Sequence, residues 1–385
     1  MNIIQIIPSL NKGGAERLVI DICSHLSQIS GVRVKLVLLR DEIQYDLDRK
    51  EFDIDVVNVN LKCSLWKKNR VNVSDLQKIF NDFLPDIIHT HLFESELISR
   101  FCYYPHAKWF SHCHDNMIQF QYPKLNNFLS KKTIVNLYEK NILLKNYKRN
   151  GGTTFIAISE HSQKYFLQNQ KLFDVLLLKN AINIKNFYPP DDAKIIETSR
   201  EKEINIINVG SFVTKKNQIF LIDIACELEK LGVNARIHFL GDGLLKNVIR
   251  DKCIESKLNS KFIFHGNVED VQTYLWNADI YVHTAKYEPF GLVLLEAMAA
   301  KTPIISLNGL GNKDIITDNI NGYLLQEENP EYFAKKIIEV YQNKINRDRI
   351  IRNASNFVEE YDISKYCQKL ISTYKSQLDQ NILSE

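Results

Sequence analysis

Two carboxylates frame one short stretch of this chain, KYEPFGLVLLEAMAAKTPIIS (286–306). From Gly291 onward it reads as a helix apolar on every side, through Leu292, Val293, Leu294, Leu295, Ala297, Met298, Ala299 and Ala300. Such a helix is a buried one, yet Glu296 falls in its second turn and Glu288 just ahead of its start. A buried carboxylate is costly unless something satisfies it. Pro289 sets a turn and Gly291 lets backbone approach a ligand closely. The helix start that follows favours a phosphate through its free amides and dipole. A pyrophosphate at Phe290–Leu292 would set a sugar near Glu288 and a ribose near Glu296, and a ribose diol gives a carboxylate two hydrogen bonds. A capping Glu288 and a Glu296 with a basic partner are the structural alternative, and the residues alone leave both open.

The elements that must hold these residues are strands and helices in alternation. Apolar, β-branched runs recur at 2–8, 34–39, 54–59, 86–90, 108–113, 153–158 and 175–180, then at 204–211, 236–241, 261–266, 279–284, 302–307 and 322–326. Continuously apolar strands are covered on both faces, as in parallel sheets, and strand–helix alternation builds doubly wound α/β domains. At 385 residues the chain exceeds one core. The series breaks at the Asn-rich NAINIKNFYPPDDA (180–193) and restarts at Ile204. The expectation is therefore a domain over 1–182 and a second over 183–363, with a C-terminal helix (364–385) that packs back on the first. Ligands of such sheets bind at the carboxyl ends of strands, and two domains of this kind would face each other across a cleft.

Composition narrows the function classes. Seven scattered cysteines without a Cys-x-x-Cys spacing predict free thiols in a reducing compartment. The amino terminus lacks the basic start of a signal peptide, and no apolar run reaches the length of a membrane span, so a cytoplasmic protein is expected. The net charge of +3 is uneven: residues 1–180 carry 24 Lys/Arg against 18 Asp/Glu, leaving 25 against 28 beyond. The basic excess concentrates in LKCSLWKKNR (61–70) and between Lys124 and Arg149. Lysines mixed with apolar residues over 122–149 suit either an anionic membrane surface or an amphipathic core helix with a solvated lysine face. The small overall excess and the lack of a recognisable motif argue against nucleic acid.

EPFGLVLLEAMAAKTPIIS resembles the motif of glycosyltransferase family 4, retaining enzymes that use nucleotide-sugars on the GT-B fold. NVGSFVTKKNQIFLIDI (208–224), HFLGDGLLK (238–246), FHGNVEDVQTYLWNADIYVHTAKYEPFG (264–291) and GLGNKDIITDNINGYLL (309–325) follow the order and spacing of its donor domain. PSLNKGGAERLVIDI (8–22) resembles its glycine-rich first loop, and LKNAINIKNFYP (178–189) its hinge. The resemblance implies that Glu288 contacts the donor sugar and Glu296 the ribose. Phe290, Gly291 and Leu292 would offer amides to the diphosphate, and Lys216 would pair with its phosphates. Gly13 and Gly14 would line a loop near the diphosphate or acceptor, and Gly241 and Asp242 a loop beside the nucleotide. The family commonly has an arginine where this chain has Ser211, and Lys215 is the candidate to supply that charge.

The pairs His89/His91 and His112/His114 each end a strand candidate, and residues two apart share a strand face. They could converge on zinc, but no carboxylate or cysteine set completes a known spacing. The resemblance instead makes His114, followed by Asp115, the histidine at the sugar, with His91 beside it on the acceptor side. Asp-x-Asp occurs at 46–48 and 53–55 in what reads as an acidic connecting region, a solvated charge run and not a metal site. No metal or other cofactor is expected, because helix amides and fixed basic groups can neutralise a diphosphate. The expected function is hexosyl transfer from a UDP- or GDP-sugar to a glycan or lipid-linked acceptor of surface polysaccharide, at the cytoplasmic side of the membrane. A nucleotide-sugar epimerase on the same fold and a catalytically silent nucleotide-sugar-binding subunit are the alternatives.

Overall fold

A computed structural model describes residues 1–47, 51–59, 61, 71–121, 130–190 and 203–382. Asp48, Cys63, most of the basic stretch 61–70, residues 122–129 with Lys124, and the charged stretch after Pro190 lie outside the described residues. All thirteen apolar runs form strands. In the first half these are β1 (Asn2–Ile7), β2 (Arg33–Leu38), β3 (Asp53–Val56), β4 (Ile87–His91), β5 (Lys108–Cys113), β6 (Thr154–Ala157) and β7 (Val175–Leu177). In the second they are β8 (Ile204–Val209), β9 (Ala235–Leu240), β10 (Phe262–Gly266), β11 (Ile280–His283), β12 (Ile304–Leu307) and β13 (Tyr323–Leu325).

The chain forms two compact units, Met1–Asn180 with Ile363–Glu385, and Ala181–Asp362. Each is a parallel sheet, ordered β3-β2-β1-β4-β5-β6-β7 in the first unit and β10-β9-β8-β11-β12-β13 in the second. In both, the chain winds outward one way from the starting strand and then returns to its other side. The reversals fall between β1 and β4 and between β8 and β11. At such a switch point the loops diverge and leave a crevice at the strand ends.

Burial follows the expected pattern, with Ile3, Ile4, Ile6 and Ile7 of β1 and Ile206 and Ile207 of β8 almost without solvent contact. The helix Ile363–Ile382 belongs to the first unit and lies against helix Gly14–Ser27 and β5, burying Cys367, Leu370 and Tyr374. The first core also encloses an ion pair, Arg100 Nε to Glu96 Oε1 at 2.9 Å. The Arg100 guanidinium stacks over Trp109 and Tyr147 and donates to Thr153 Oγ1 at 2.7 Å and to the Gly152 carbonyl at 3.0 Å. A buried pair is tolerable when its remaining donors are satisfied in this way. No helix among the described residues is long and apolar enough to cross a membrane.

One expectation needs correction. Asp53-Ile54-Asp55 is not in a connecting region but forms the edge strand β3, where Lys35 Nζ reaches Asp55 at 2.8 Å and Asp53 at 3.8 Å. A strand turns alternate side chains to one face, so both carboxylates meet the same lysine on the neighbouring strand.

Candidate active site

In the second unit, the loops leaving the two switch-point strands converge. After β8 the chain turns through Gly210 and Ser211 into a short 3-10 turn, Thr214–Lys216. After β11 it passes Thr284 to Glu288, and the amides of Lys286 and Tyr287 donate to the Lys215 carbonyl at 2.9 and 3.3 Å. Thr284 Oγ1 donates to the Lys216 carbonyl at 3.0 Å. The Glu288 amide donates to the Gly309 carbonyl at 2.8 Å, pinning the segment to the loop after β12. These bonds fix two backbones side by side and aim Lys216 at Glu288.

Lys216 Nζ lies 2.5 Å from Glu288 Oε2, and His283 Nε2 lies 3.2 Å from the same oxygen. Oε1 has no hydrogen-bond partner among the described residues. The Glu288 side chain is only 8% exposed. Burial alone would raise its carboxyl, but the Lys216 charge and the His283 hydrogen bond outweigh burial and hold it at about 2. Burial lowers His283, so its imidazole is neutral. Burial also raises the Tyr281 hydroxyl far above the usual range, so it remains protonated, and it lies 2.9 Å from His283 Nδ1. The ionised Glu288 carboxylate can only accept, which puts the His283 proton on Nε2, facing it, and leaves Nδ1 to accept from Tyr281. The result is a fixed, ionised carboxylate with one oxygen occupied and one free to accept.

Gly291 follows directly. Its φ of +101° belongs to the left-handed region, and a Cβ there would lie 2.8 Å from Leu294 Cδ1 and 3.2 Å from Glu288 Cγ. It begins helix Leu292–Ala299 with no side-chain cap, so the first amides of the helix have no partner from its own cap. Phe290 is buried and Leu292 half-buried. Glu296 departs from the sequence reading: it is half-buried, not buried, on a flank shared with Leu292 and Val293. The helix is apolar all round in sequence but has one face only partly covered, so this carboxylate needs less compensation than the run of residues implied.

Other expected residues fall around this cluster. Gly241 (φ +132°) packs so close to the β8 loop that a Cβ would lie 2.2 Å from the Gly210 carbonyl oxygen. Asp242, beside it, pairs with Lys246. Ser211 and Lys215 are exposed, and the Lys215 ammonium lies 5.6 Å from the Tyr287 ring centre. Lys216, not Lys215, is therefore the cation that meets Glu288. His283 and Tyr281 were not singled out from sequence. A lone histidine in the apolar strand run DIYVHT is indistinguishable from a core residue until its partner is known.

In the first unit, the switch point carries histidines. His89, His91 and His112 are buried, and His114 is half-buried. His91 Nδ1 lies 3.0 Å from His114 Nε2. The rings stack, His112 on His114 at 4.3 Å and 5°, and His89 on His112 at 5.2 Å and 11°. Candidate ligand atoms of His89, His91 and His112 come within 4.8 Å of one another. His91 is tilted by 27° from His89 and 32° from His112, and both of its ring nitrogens have partners, Nδ1 at His114 and Nε2 at Gln5 Oε1, 2.7 Å away. Burial pushes all four imidazoles down, His112 to about 4. Asp115 is exposed and accepts from the Asn116 amide at 2.8 Å. Gly13 precedes helix Gly14–Ser27, and its amide is taken by the Tyr45 hydroxyl at 3.1 Å.

Comparison with known proteins finds matches in both halves of the chain. Residues 12–185 match the family described as Glycosyltransferase Family 4, and residues 191–357 the family described as Glycosyl transferases group 1. A poly(ribitol-phosphate) alpha-N-acetylglucosaminyltransferase of Staphylococcus aureus is 28% identical over 62% of this chain and 46% of its own length. An alpha-monoglucosyldiacylglycerol synthase of Acholeplasma laidlawii is 26% identical over 92% of this chain and 82% of its own. The match thus spans about half the length of some relatives, including the first of these, and most of others. The crystal structure of Anabaena HepE in complex with UDP superposes with a TM-score of 0.77 at 19% identity, covering 98% of this chain and 100% of that one. At that identity the likeness shows the fold, which is GT-B with two Rossmann-like domains. The chain belongs to glycosyltransferase family 4, with a group 1 glycosyltransferase domain as its second half.

Proposed function

We propose that the protein transfers a hexosyl unit from a nucleotide-sugar, UDP- or GDP-linked, to a glycan or lipid-linked acceptor in surface-polymer or glycolipid synthesis, with retention of configuration. The observation that carries this reading is the ionised Glu288, held by Lys216 and His283 with Oε1 open, directly ahead of an uncapped helix start. A free carboxylate oxygen accepts sugar hydroxyls. The amides at Phe290, Gly291 and Leu292 suit a diphosphate. Lys216 sits where a cation can stabilise charge on a leaving phosphate, and Ser211, Lys215, Gly241 and Asp242 border the same strand ends. Glu296 is assigned to the ribose. His114 is assigned to a hydroxyl of the transferred sugar, with His91, Asp115 and Gly13 on the acceptor side and Gly14 beside the diphosphate. Retention gains support because both named relatives form alpha products, and UDP-glucose already carries its sugar in α linkage.

No metal is required in this reading: the lysine and helix amides offset the diphosphate charge, and activity in excess EDTA is the corresponding test. Helix Lys131–Arg149 exposes Lys131, Lys132, Ile134, Lys145, Lys148 and Arg149. This basic face is proposed to hold the enzyme peripherally on the anionic, cytoplasmic surface of the membrane. Its binding to anionic liposomes should weaken with salt, because screening sets in within about 10 Å at 0.1 M.

The direct test is a thermal-shift screen over UDP- and GDP-sugars, followed by product analysis with candidate acceptors. A donor present at 100 times its Kd should add about 2.7 kcal/mol of stability. Stabilisation by one donor together with an α-linked product supports the proposal. UDP-N-acetylglucosamine converted to an epimer without acceptor would replace it with the epimerase reading. Binding without turnover across acceptors would point to a silent subunit.

A further inference from the structure

A line of side chains in the first unit ends on His114. Tyr374, on the C-terminal helix, meets Gln5 of β1, which meets His91 at the end of β4, which meets His114 just beyond β5. Gln5 Nε2 donates to the Tyr374 oxygen at 3.3 Å, and Gln5 Oε1 lies 2.7 Å from His91 Nε2. His91 Nδ1 lies 3.0 Å from His114 Nε2. At the other end, the Tyr374 hydroxyl lies 2.5 Å from His89 Nδ1. Gln5, His91 and Tyr374 are wholly buried, so no water competes for these bonds.

The protons follow by accounting, since a neutral imidazole has one N–H and one lone pair. Burial, reinforced by the neighbouring imidazoles, holds His91 and His114 well below the usual histidine range, so both are neutral at pH 7. Gln5 Oε1 only accepts, which places the His91 proton on Nε2. His91 Nδ1 is then a bare acceptor, and the proton between the two rings belongs to His114 Nε2. What remains on His114 is a lone pair at Nδ1. That atom has no hydrogen-bond partner among the described residues, and the ring around it is held flat against His112, whose own Nε2 is tied to Asn180 Oδ1 at 3.1 Å.

We infer that Gln5, His91 and Tyr374 are positioning residues that lock His114 in its Nε2–H tautomer, leaving Nδ1 to accept a hydrogen bond from a substrate hydroxyl. A neutral acceptor discriminates by sign. It takes the O–H of a sugar and offers nothing to a phosphate oxygen, which has lone pairs of its own. The substrate part of this inference rests on the assignment of His114 to the sugar, whereas the tautomer does not.

Long-range proton–nitrogen correlation spectroscopy of the full chain, labelled with 15N-histidine, reads the tautomer without any donor present. The His114 signals are assigned by their loss in His114→Gln. The expected result at neutral pH is a protonated Nε2 and an unprotonated Nδ1, moving towards a mixture of tautomers in Gln5→Leu. An Nδ1–H tautomer in the wild-type protein, which a Gln5 amide turned end for end would produce, overturns the inference. So does an unchanged tautomer in a folded Gln5→Leu. Should Gln5→Leu not fold, Tyr374→Phe releases the far end of the Gln5 amide, and an unaltered tautomer there removes Tyr374 from the relay. Added UDP-glucose should then shift the Nδ1 signal, while sulfate, an oxyanion that carries no proton at neutral pH, should not. A shift with sulfate would overturn the hydroxyl assignment, and no shift with either would separate a sound relay from a wrong placement of the sugar.

Discussion

The two units share one strand order and differ in what they place at its reversal. At β8/β11 the second unit holds charge: an ionised Glu288 against Lys216, with a neutral histidine behind it. At β1/β4 the first unit holds neutral rings stacked on one another, with burial suppressing their protonation. One topology thus supplies two kinds of crevice. The charged one presents a fixed carboxylate and an ammonium, and the neutral one presents uncharged imidazoles; the proposed function assigns the first to the reacting centre and the second to hydroxyl recognition.

Acid should separate the two most strongly. A buried histidine with a lowered pKa contributes stability that is full above about 6.5 and declines as pH falls, because the unfolded chain then binds the proton first. For His112, at about 4 in the folded unit, the loss reaches about 3 kcal/mol near pH 4 at ~1.4 kcal/mol per pH unit, and His89, His91 and His114 add in the same direction. Glu288, held at about 2, keeps its contribution until pH drops below the unfolded carboxylate value of 4.5. The second unit carries lowered histidines of its own, His283, His238 and His265, so hydrogen exchange between pH 7 and 4.5 should show both units losing protection and the first, with four stacked imidazoles, losing more. An equal or greater loss in the second unit would contradict the comparison.

Turnover should depend most on the charged crevice. Glu288→Gln keeps the shape and removes the charge, and a contact that strengthens in the transition state is worth roughly 10²–10³ in kcat. Steady-state kinetics that retain a near-normal kcat would sever Glu288 from the reacting sugar. A smaller effect, of the order of 10-fold and confined to KM, is expected for Glu296→Gln, since a ribose contact changes little as the glycosidic bond breaks. Its partial exposure on the helix flank also predicts little loss of thermal stability. The smallest effect should come from EDTA, which is expected to leave the rate unchanged. Loss restored by Mg²⁺ or Mn²⁺ would show that the Lys216 charge and the helix amides are not enough.

The thirteen strands were legible because continuous apolar runs and their spacing are local properties, and a buried parallel strand writes itself in consecutive residues. Glu288 and Gly291 could be picked out for the same reason, since a turn, a helix start and a charge out of place are visible within a few positions, whereas Lys216 came only from the family resemblance. Burial of Glu296 was overread, because an apolar helix sequence does not reveal how much of one face its neighbours leave open. The partners were beyond reach. Glu288 meets Lys216 across 72 positions and Gln5 meets Tyr374 across 369, distances over which no periodicity carries information. Sequence alone determined which residues are able to ionise, donate or turn the chain. Tertiary structure decided which of them are charged, which are neutral and which nitrogen keeps its proton, because those states depend on burial and on neighbours brought together only by the sheet.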